Sequence, residues 1–258
     1  MSQLEQKEIT LGYLEAASQR LEGRSPQAVL EWAFAEYSPR IALACSFGGV
    51  SGMALLDMAA KLNPQVQVFY LDTDFLFPET YALRDEAERR YRIQPVGFKS
   101  QLTPEEQARQ YGEALWLRDP DLCCQLRKVE PNRRALEGQR AWISGIRRDQ
   151  TSTRGSARTV EWDTQFGLVK VNPLVSWTEA QVWAYIREHK VLYNRLHDRG
   201  YPSIGCTHCT RAVKPGDDPR AGRWSDSDKT ECGLHLPGEE SLPASTQSVK
   251  EEQPNAAI

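Results

Sequence analysis

The sequence lacks any long apolar run. Its longest, such as Ile41 to Cys45 and Val66 to Leu71, fall far short of the roughly 20 residues a membrane-spanning helix needs. The first residues, Met1-Ser-Gln-Leu-Glu-Gln, lack a basic stretch leading into an apolar one, so no secretory signal is expected and a cytoplasmic location follows. Neither sign of charge dominates: 32 basic and 35 acidic side chains leave a net charge of −3, which gives no reason to expect nucleic acid or a membrane as partner. Cysteine is sparse. Six in 258 residues are too few for a disulfide scaffold, and in a reducing compartment they suit metal ligands or catalytic thiols better than bridges. No internal repeat is visible.

What is present reads as globular. Charged residues at 26% and apolar residues at 40% are ordinary for a chain with a real core, of one large domain or two small ones. Residues 1–36 carry helical periodicity, with Leu11, Leu14, Ala17 and Leu21 on one face and Ala28, Trp32 and Ala35 on another; Ser25-Pro26 suits a cap and first turn. From residue 37 to 205 short apolar segments alternate with helical ones. Strands are expected at 40–45, 66–71, 93–98 and 141–145, and helices at 53–62, 78–91, 104–111 and 121–136. An irregular strand pair follows at 162–173, then a helix capped by Ser176-Trp-Thr-Glu179 and running through Glu188. This alternation predicts an α/β fold, a mainly parallel sheet flanked by helices. Ligands of such sheets sit at the carboxyl ends of the strands. The turn after Cys45, the Asp72 loop and the Arg147 loop are therefore expected on one rim. Residues 206–238 form a loop and tail segment, and the Ser/Pro/Gln/Glu-rich stretch 239–258 is expected to be disordered.

Several motifs carry chemistry. Ser46-Phe-Gly48-Gly49 between a strand and a helix can aim backbone N–H groups and a helix start at an anion, although it lacks the Lys-Ser/Thr of a P-loop and the G-x-G-x-x-G spacing. From Arg127 to Arg158 nine basic residues face only three acids, Glu130, Glu137 and Asp149. That stretch is either a solvated face or a site for a compact polyanion such as a nucleotide phosphate. Cys206-x-x-Cys209 can converge on one metal centre. Cys123 and Cys124, with α-carbons about 3.8 Å apart, make a poor disulfide and project about 100° apart on a helix. Four thiolates serve either structural zinc or a [4Fe–4S] cluster; the vicinal pair departs from zinc-ribbon spacing and favours iron–sulfur. Cys232, in Glu231-Cys-Gly-Leu-His235, lies where few apolar anchors exist and is a candidate nucleophile, activated when the tail folds over the basic site. Cys45 closes an apolar strand and reads as core.

Together these residues resemble the assimilatory adenylyl-sulfate reductases, the iron–sulfur branch of a family that includes the phosphoadenylyl-sulfate reductases. The resemblance runs from about Arg40 to His235 and is sharpest at Cys123-Cys124-x-x-x-Lys128, Arg147-Arg148-Asp-Gln150, Cys206-x-x-Cys209 and Glu231-Cys-Gly-Leu-His235, with Leu71-Asp-Thr-x-x-x-x-Pro78-Glu-Thr-Tyr81 in support. It implies an adenine nucleotide alpha hydrolase-like fold with a mobile C-terminal tail. It also implies thioredoxin-dependent reduction of adenosine 5′-phosphosulfate to sulfite and AMP, through an S-sulfocysteine on Cys232. The implied cluster ligands are Cys123, Cys124, Cys206 and Cys209. The implied substrate contacts are Ser46, Gly48, Gly49, the Leu71 backbone, Lys128, Arg147, Arg154, Arg220, Arg223 and His235. The 3′-phosphorylated substrate stays open, as does a homo-oligomer. One departure stands out: Val50-Ser51-Gly52 replace the Ala-Glu-Asp usual in the family's turn. Two rivals carry different signatures. A PP-loop tRNA-thiolating enzyme would show Ser-Gly-Gly-x-Asp-Ser, and a zinc-stapled binding module leaves Cys232 and its arginines unexplained.

Overall fold

The computed structural model describes residues 10–225 and 227–235, so the tail expected to be disordered lies outside the described residues. Among these, no helix is long and apolar enough to cross a membrane. Two helices, α1 (Leu11–Leu21) and α2 (Pro26–Tyr37), precede β1 (Ile41–Ala44) and α3 (Val50–Leu62). The chain continues through β2 (Gln67–Asp72), α4 (Pro78–Tyr91), β3 (Val96–Lys99) and α5 (Pro104–Tyr111). Short helices α6 (Leu115–Arg118) and α7 (Pro120–Cys124) lead into a π-turn (Gln125–Val129) and α8 (Glu130–Ala135). Then come β4 (Ala141–Ile143), β5 (Val160–Asp163), β6 (Leu168–Val171) and α9 (Glu179–Glu188).

The six strands form one sheet in the order β3-β2-β1-β4-β6-β5. All neighbours are parallel except the β5–β6 hairpin at one edge. The order reverses between β1 and β4, which opens a crevice at their carboxyl ends. On one face Leu14, Leu30, Leu55 and Val182 bring α1, α2, α3 and α9 into a core with Leu43 and Val169. On the other, Ala135 and Leu136 pack with Phe69, Trp142 and Leu168. This is the expected layered α/β arrangement.

Local chemistry explains the helix ends. Ser25, Thr103 and Thr178 each accept a hydrogen bond from a first-turn N–H, and Pro stands at the first position of α2, α4 and α5. Three expectations change. α2 buries Val29, Leu30, Ala33 and Tyr37, leaving Ala35 exposed, because the larger side chains rather than the alanines select the buried face. The cap of α9 is Thr178 with Gln181, not Ser176 with Glu179. Residues 121–136 are not one helix: the π-turn interrupts them.

Candidate active site

The turn after β1 is built by its neighbours. Phe47 takes a positive φ of 53° and is fully buried, so Gly48 and Gly49 follow at the surface of the crevice. A Cβ on Gly48 would stand 3.3 Å from the Ile204 carbonyl, which makes glycine the fitting residue. Asn194 Nδ2 donates to the Phe47 carbonyl at 3.2 Å, and His197 Nε2 lies 3.0 Å from the Gly48 carbonyl. Burial holds His197 below the ordinary imidazole pKa, so the neutral ring donates to that carbonyl. The departure at Val50-Ser51-Gly52 falls in the first turn of α3 rather than in a loop. Ser51 Oγ there accepts from Arg147 Nη1, and Asp149 binds Arg147 Nε at 2.9 Å.

Ser46, Gly48, Gly49, Leu71, Lys128, Arg147, Arg154, Arg220, Arg223, Cys232 and His235 all line one cavity of ≈ 360 Å³ at the β1/β4 crevice. Of the nine basic residues from Arg127 to Arg158, only Lys128, Arg147 and Arg154 reach it. The other six are spent elsewhere: Arg127 on Asp74, Arg134 on Glu130, Arg148 on Glu22, Arg158 on Glu15, and Arg133 and Arg140 over the rings of Phe166 and Tyr37. The expected positive patch is therefore dispersed, and loop residues Arg220 and Arg223 complete the cationic wall. Asp72 also turns away from the rim. It accepts from Tyr81 at 2.6 Å and pairs with Lys99 at 3.5 Å.

The tail folds across this cavity as far as residue 235. Lys229 pairs with Asp121 beside the cysteine helix. Glu231 receives Arg154 through two bonds of 3.0 and 2.8 Å, Thr151 at 3.1 Å, and Arg220 at 3.4 Å. Gly233, at φ 82°, leaves 3.5 Å between a hypothetical Cβ and Val129, and the His235 ring stacks on Trp142 at 5.7 Å. Burial pushes the His235 pKa well below its ordinary value. Cys232 is a half-buried free thiol facing the cavity.

Cys123, Cys124, Cys206 and Cys209 line a second, far smaller pocket of ≈ 10 Å³. The Leu76–Cys206 bridge, Thr73 Oγ1 3.3 Å from Cys206 Sγ, and the Thr207 N–H on the Phe75 carbonyl at 2.8 Å tie the C-x-x-C loop to the loop after β2. Trp116 stacks on His208 at 3.8 Å and closes the outside. Burial and the neighbouring sulfurs push the Cys123 thiol up to about 12, and burial and Cys206 push Cys209 up to about 11. These are poor free thiolates, and a thiophilic metal group would supply the positive charge that deprotonates them. Four sulfurs around one closed pocket, with no disulfide among them, fit such a group. Among the described residues, no three Cys, His, Asp or Glu side chains converge on a single-ion position.

Lys128 and Cys206 belong to both pockets. Burial opposes the Lys128 charge, yet Cys206, Cys124 and Cys232 around it hold its pKa above the ordinary lysine value. Sequence reading missed Trp224, which is 5% exposed and has Arg223, Lys229, Lys128 and Arg220 within 4.4 to 5.9 Å of its ring centre. Its place directly after the two arginines of Arg220-Ala-Gly-Arg223-Trp224 is the one signal in the sequence. Glycine at 205 lets the Arg223 guanidinium lie flat, since a Cβ there would meet its Cζ at 2.8 Å. Five residues lining the large cavity each carry a buried polar atom with no hydrogen-bond partner among the described residues: Asn132 Nδ2, Trp142 Nε1, Arg223 Nε, Trp224 Nε1 and His235 Nδ1.

A family model for the phosphoadenosine phosphosulfate reductase domain matches residues 40–212, more than half of the chain. The chain belongs to this family. Similar reductases include an adenosine 5′-phosphosulfate reductase of Halalkalibacterium halodurans, 48% identical over 223 residues that cover 86% of this chain and 96% of that one. Another is adenosine 5′-phosphosulfate reductase 2 of Bacillus subtilis, 49% identical over 212 residues, 80% of this chain and 88% of that one. A solved phosphoadenylyl-sulfate reductase from Candida auris, in complex with phosphate, superimposes with a TM-score of 0.70 at 33% identity. It covers 80% of this chain and 98% of that structure.

Proposed function

We propose that this reductase converts adenosine 5′-phosphosulfate to sulfite and AMP, with Cys232 as nucleophile and a thioredoxin dithiol as reductant. The observation that carries the proposal is the placement of Cys232, on a tail held by Glu231 and Lys229, over a cavity walled by the Ser46–Gly49 turn and five cations. The names of its relatives point the same way.

The chemistry follows from the atoms present. The Cys232 thiolate attacks the substrate sulfur. An S–S bond forms, the bond from sulfur to the bridging oxygen breaks, and AMP leaves with the electron pair. Charge gathers on the departing phosphate, where Lys128, Arg147 and Arg223 stabilise it along with the backbone N–H groups of Gly48 and Gly49. A thioredoxin thiolate then attacks Cys232 Sγ and sulfite leaves; its second thiol resolves the mixed disulfide. Cys123, Cys124, Cys206 and Cys209 would hold a [4Fe–4S] cluster, which would supply a fixed charge beside Lys128. Six free thiols suit a reducing, cytoplasmic setting.

Charge favours the substrate without a 3′-phosphate. Five cations line the cavity against four carboxylates, those of Asp149, Glu179, Asp218 and Glu231. So small a surplus suits a phosphosulfate better than a molecule carrying a further phosphate. The test uses sulfur-labelled adenosine 5′-phosphosulfate without reductant. Label should appear on Cys232, and label retained by Cys232→Ser would overturn the mechanism. kcat/KM should favour this nucleotide over its 3′-phosphorylated form by at least roughly tenfold, or about 1.4 kcal/mol. Four iron and four sulfide per chain are expected, and zinc alone would remove the cluster from the proposal.

A further inference from the structure

Among the polar side chains of the cavity that the proposed mechanism does not use, one has an orphaned amide. Asn132 is 1% exposed and lines the cavity, and its Nδ2 group has no acceptor among protein atoms. It stands on α8 four residues beyond Lys128, so one helical turn separates it from the residue beside the nucleophile. The next turn carries Ala135 and Leu136, which pack with Phe69 and Trp142 and with half-buried Ala44 and Leu71. Ala44, Phe69, Leu71 and Trp142 also line the cavity. This end is therefore mostly apolar and aromatic, with the orphaned Asn132 amide and Trp142 indole N–H among its lining residues, whereas Arg147, Arg154, Arg220 and Arg223 lie in the turn and loop segments beyond the sheet.

A buried N–H group without a partner is costly unless a ligand or water completes it. An anion is a poor occupant beside apolar walls, because nothing there replaces its hydration. A flat heterocycle is a good one. Its faces lie against the apolar side chains of this end, while its ring nitrogens are acceptors that lie in the ring plane. We infer that Asn132 reads the nucleotide base, donating from Nδ2 to a ring nitrogen of adenine. The inference rests on the nucleotide reading above and adds a residue to it. Asn132 is a specificity residue of the binding step and takes no part in sulfur transfer.

The experiment compares the affinity of AMP with those of 1-deaza-, 3-deaza- and 7-deaza-AMP, in the native protein and in Asn132→Ala, by calorimetry. The native protein should lose about tenfold on one of the three analogues. Asn132→Ala should bind AMP about tenfold more weakly and lose nothing further on that same analogue. Asn132→Leu, which fills the space without a donor, should behave likewise. Ratios between analogues within one protein are insensitive to the fraction that folds. Equal losses on every analogue in native and variant proteins would overturn the inference and leave the amide to a buried water. Native-like AMP affinity in both variants would do the same. A native protein that bound no AMP would instead remove the nucleotide reading itself, together with the inference.

Discussion

Glu231 decides where the sulfur of Cys232 can stand. Burial alone would raise its pKa, but Arg154, Arg220 and Thr151 outweigh burial and hold it below the ordinary carboxylate value. A carboxyl depressed in this way contributes its full stabilisation above the unfolded value, and loses it as pH falls through the lower folded value. Tail docking is thus strong at neutral pH and fails only in acid. Glu231→Gln keeps the shape and removes the charge, freeing Arg154 and Arg220. Its expected effect is a split: AMP binds at least as tightly, while single-turnover labelling of Cys232 slows by about tenfold or more, roughly 1.4 kcal/mol. At this scale the sequence was partly legible. Cys232 and its arginines stood out by residue type, but the task of Glu231 did not, because its partner Arg154 is 77 positions away. Asn194 and His197, which hold the Ser46–Gly49 turn, were illegible for the same reason. A hydrogen bond to a distant carbonyl leaves no mark in local sequence.

The cysteine helix shows what local signals can and cannot give. α4 and α5 occur at the expected residues because Pro78 and Pro104 fix the first turn of each, and Thr103 with Glu106 completes a capping box on α5. The π-turn at Gln125–Val129 has no comparable cue, since widening one turn needs no special side chain. Its effect is to bury both Arg127 and its neighbour Lys128 while sending them to different tasks. Lys128 reaches the large cavity. Arg127 donates to Gln107 at 2.7 Å, to the Thr73 carbonyl at 3.1 Å and to Asp74 at 3.0 Å, and lies 4.6 Å from the Phe75 ring centre. It thereby ties the loop after β2 to the cysteine pocket. Removing one partner of a buried pair costs about 3–5 kcal/mol, and Lys99 still neutralises Asp74 from 2.6 Å. Arg127→Met is therefore expected at the lower end, roughly 3 kcal/mol, as a reduced urea midpoint with an unchanged slope.

For the molecule as a whole, the mainly parallel sheet flanked by helices was the most legible feature, because short apolar strands alternate with capped helices along the chain. The charge distribution was the least. A run of nine basic residues looked like one surface in sequence, and folding sent most of it to acids and rings outside the cavity. His197 and His235 give the whole fold a pH dependence. Both imidazoles are held below their ordinary value by burial, so the unfolded chain takes up their protons first as pH drops below about 6.5. Stability should fall from that point downward and stay flat from there to about pH 8. Urea unfolding at pH 7.5 and 5.5 checks this, with His197→Gln reducing the difference. The wall shared by the two pockets, Lys128 and Cys206, has one more consequence. A change of charge among the four sulfurs alters the field on Lys128, and an anion placed against Lys128 alters the field on the sulfurs. Equilibrium coupling of that kind is reciprocal. By whatever factor the state of the sulfurs changes nucleotide affinity, the nucleotide must change the stability of that sulfur state by the same factor, so substrate binding and preservation of the cysteine centre reinforce or weaken each other together.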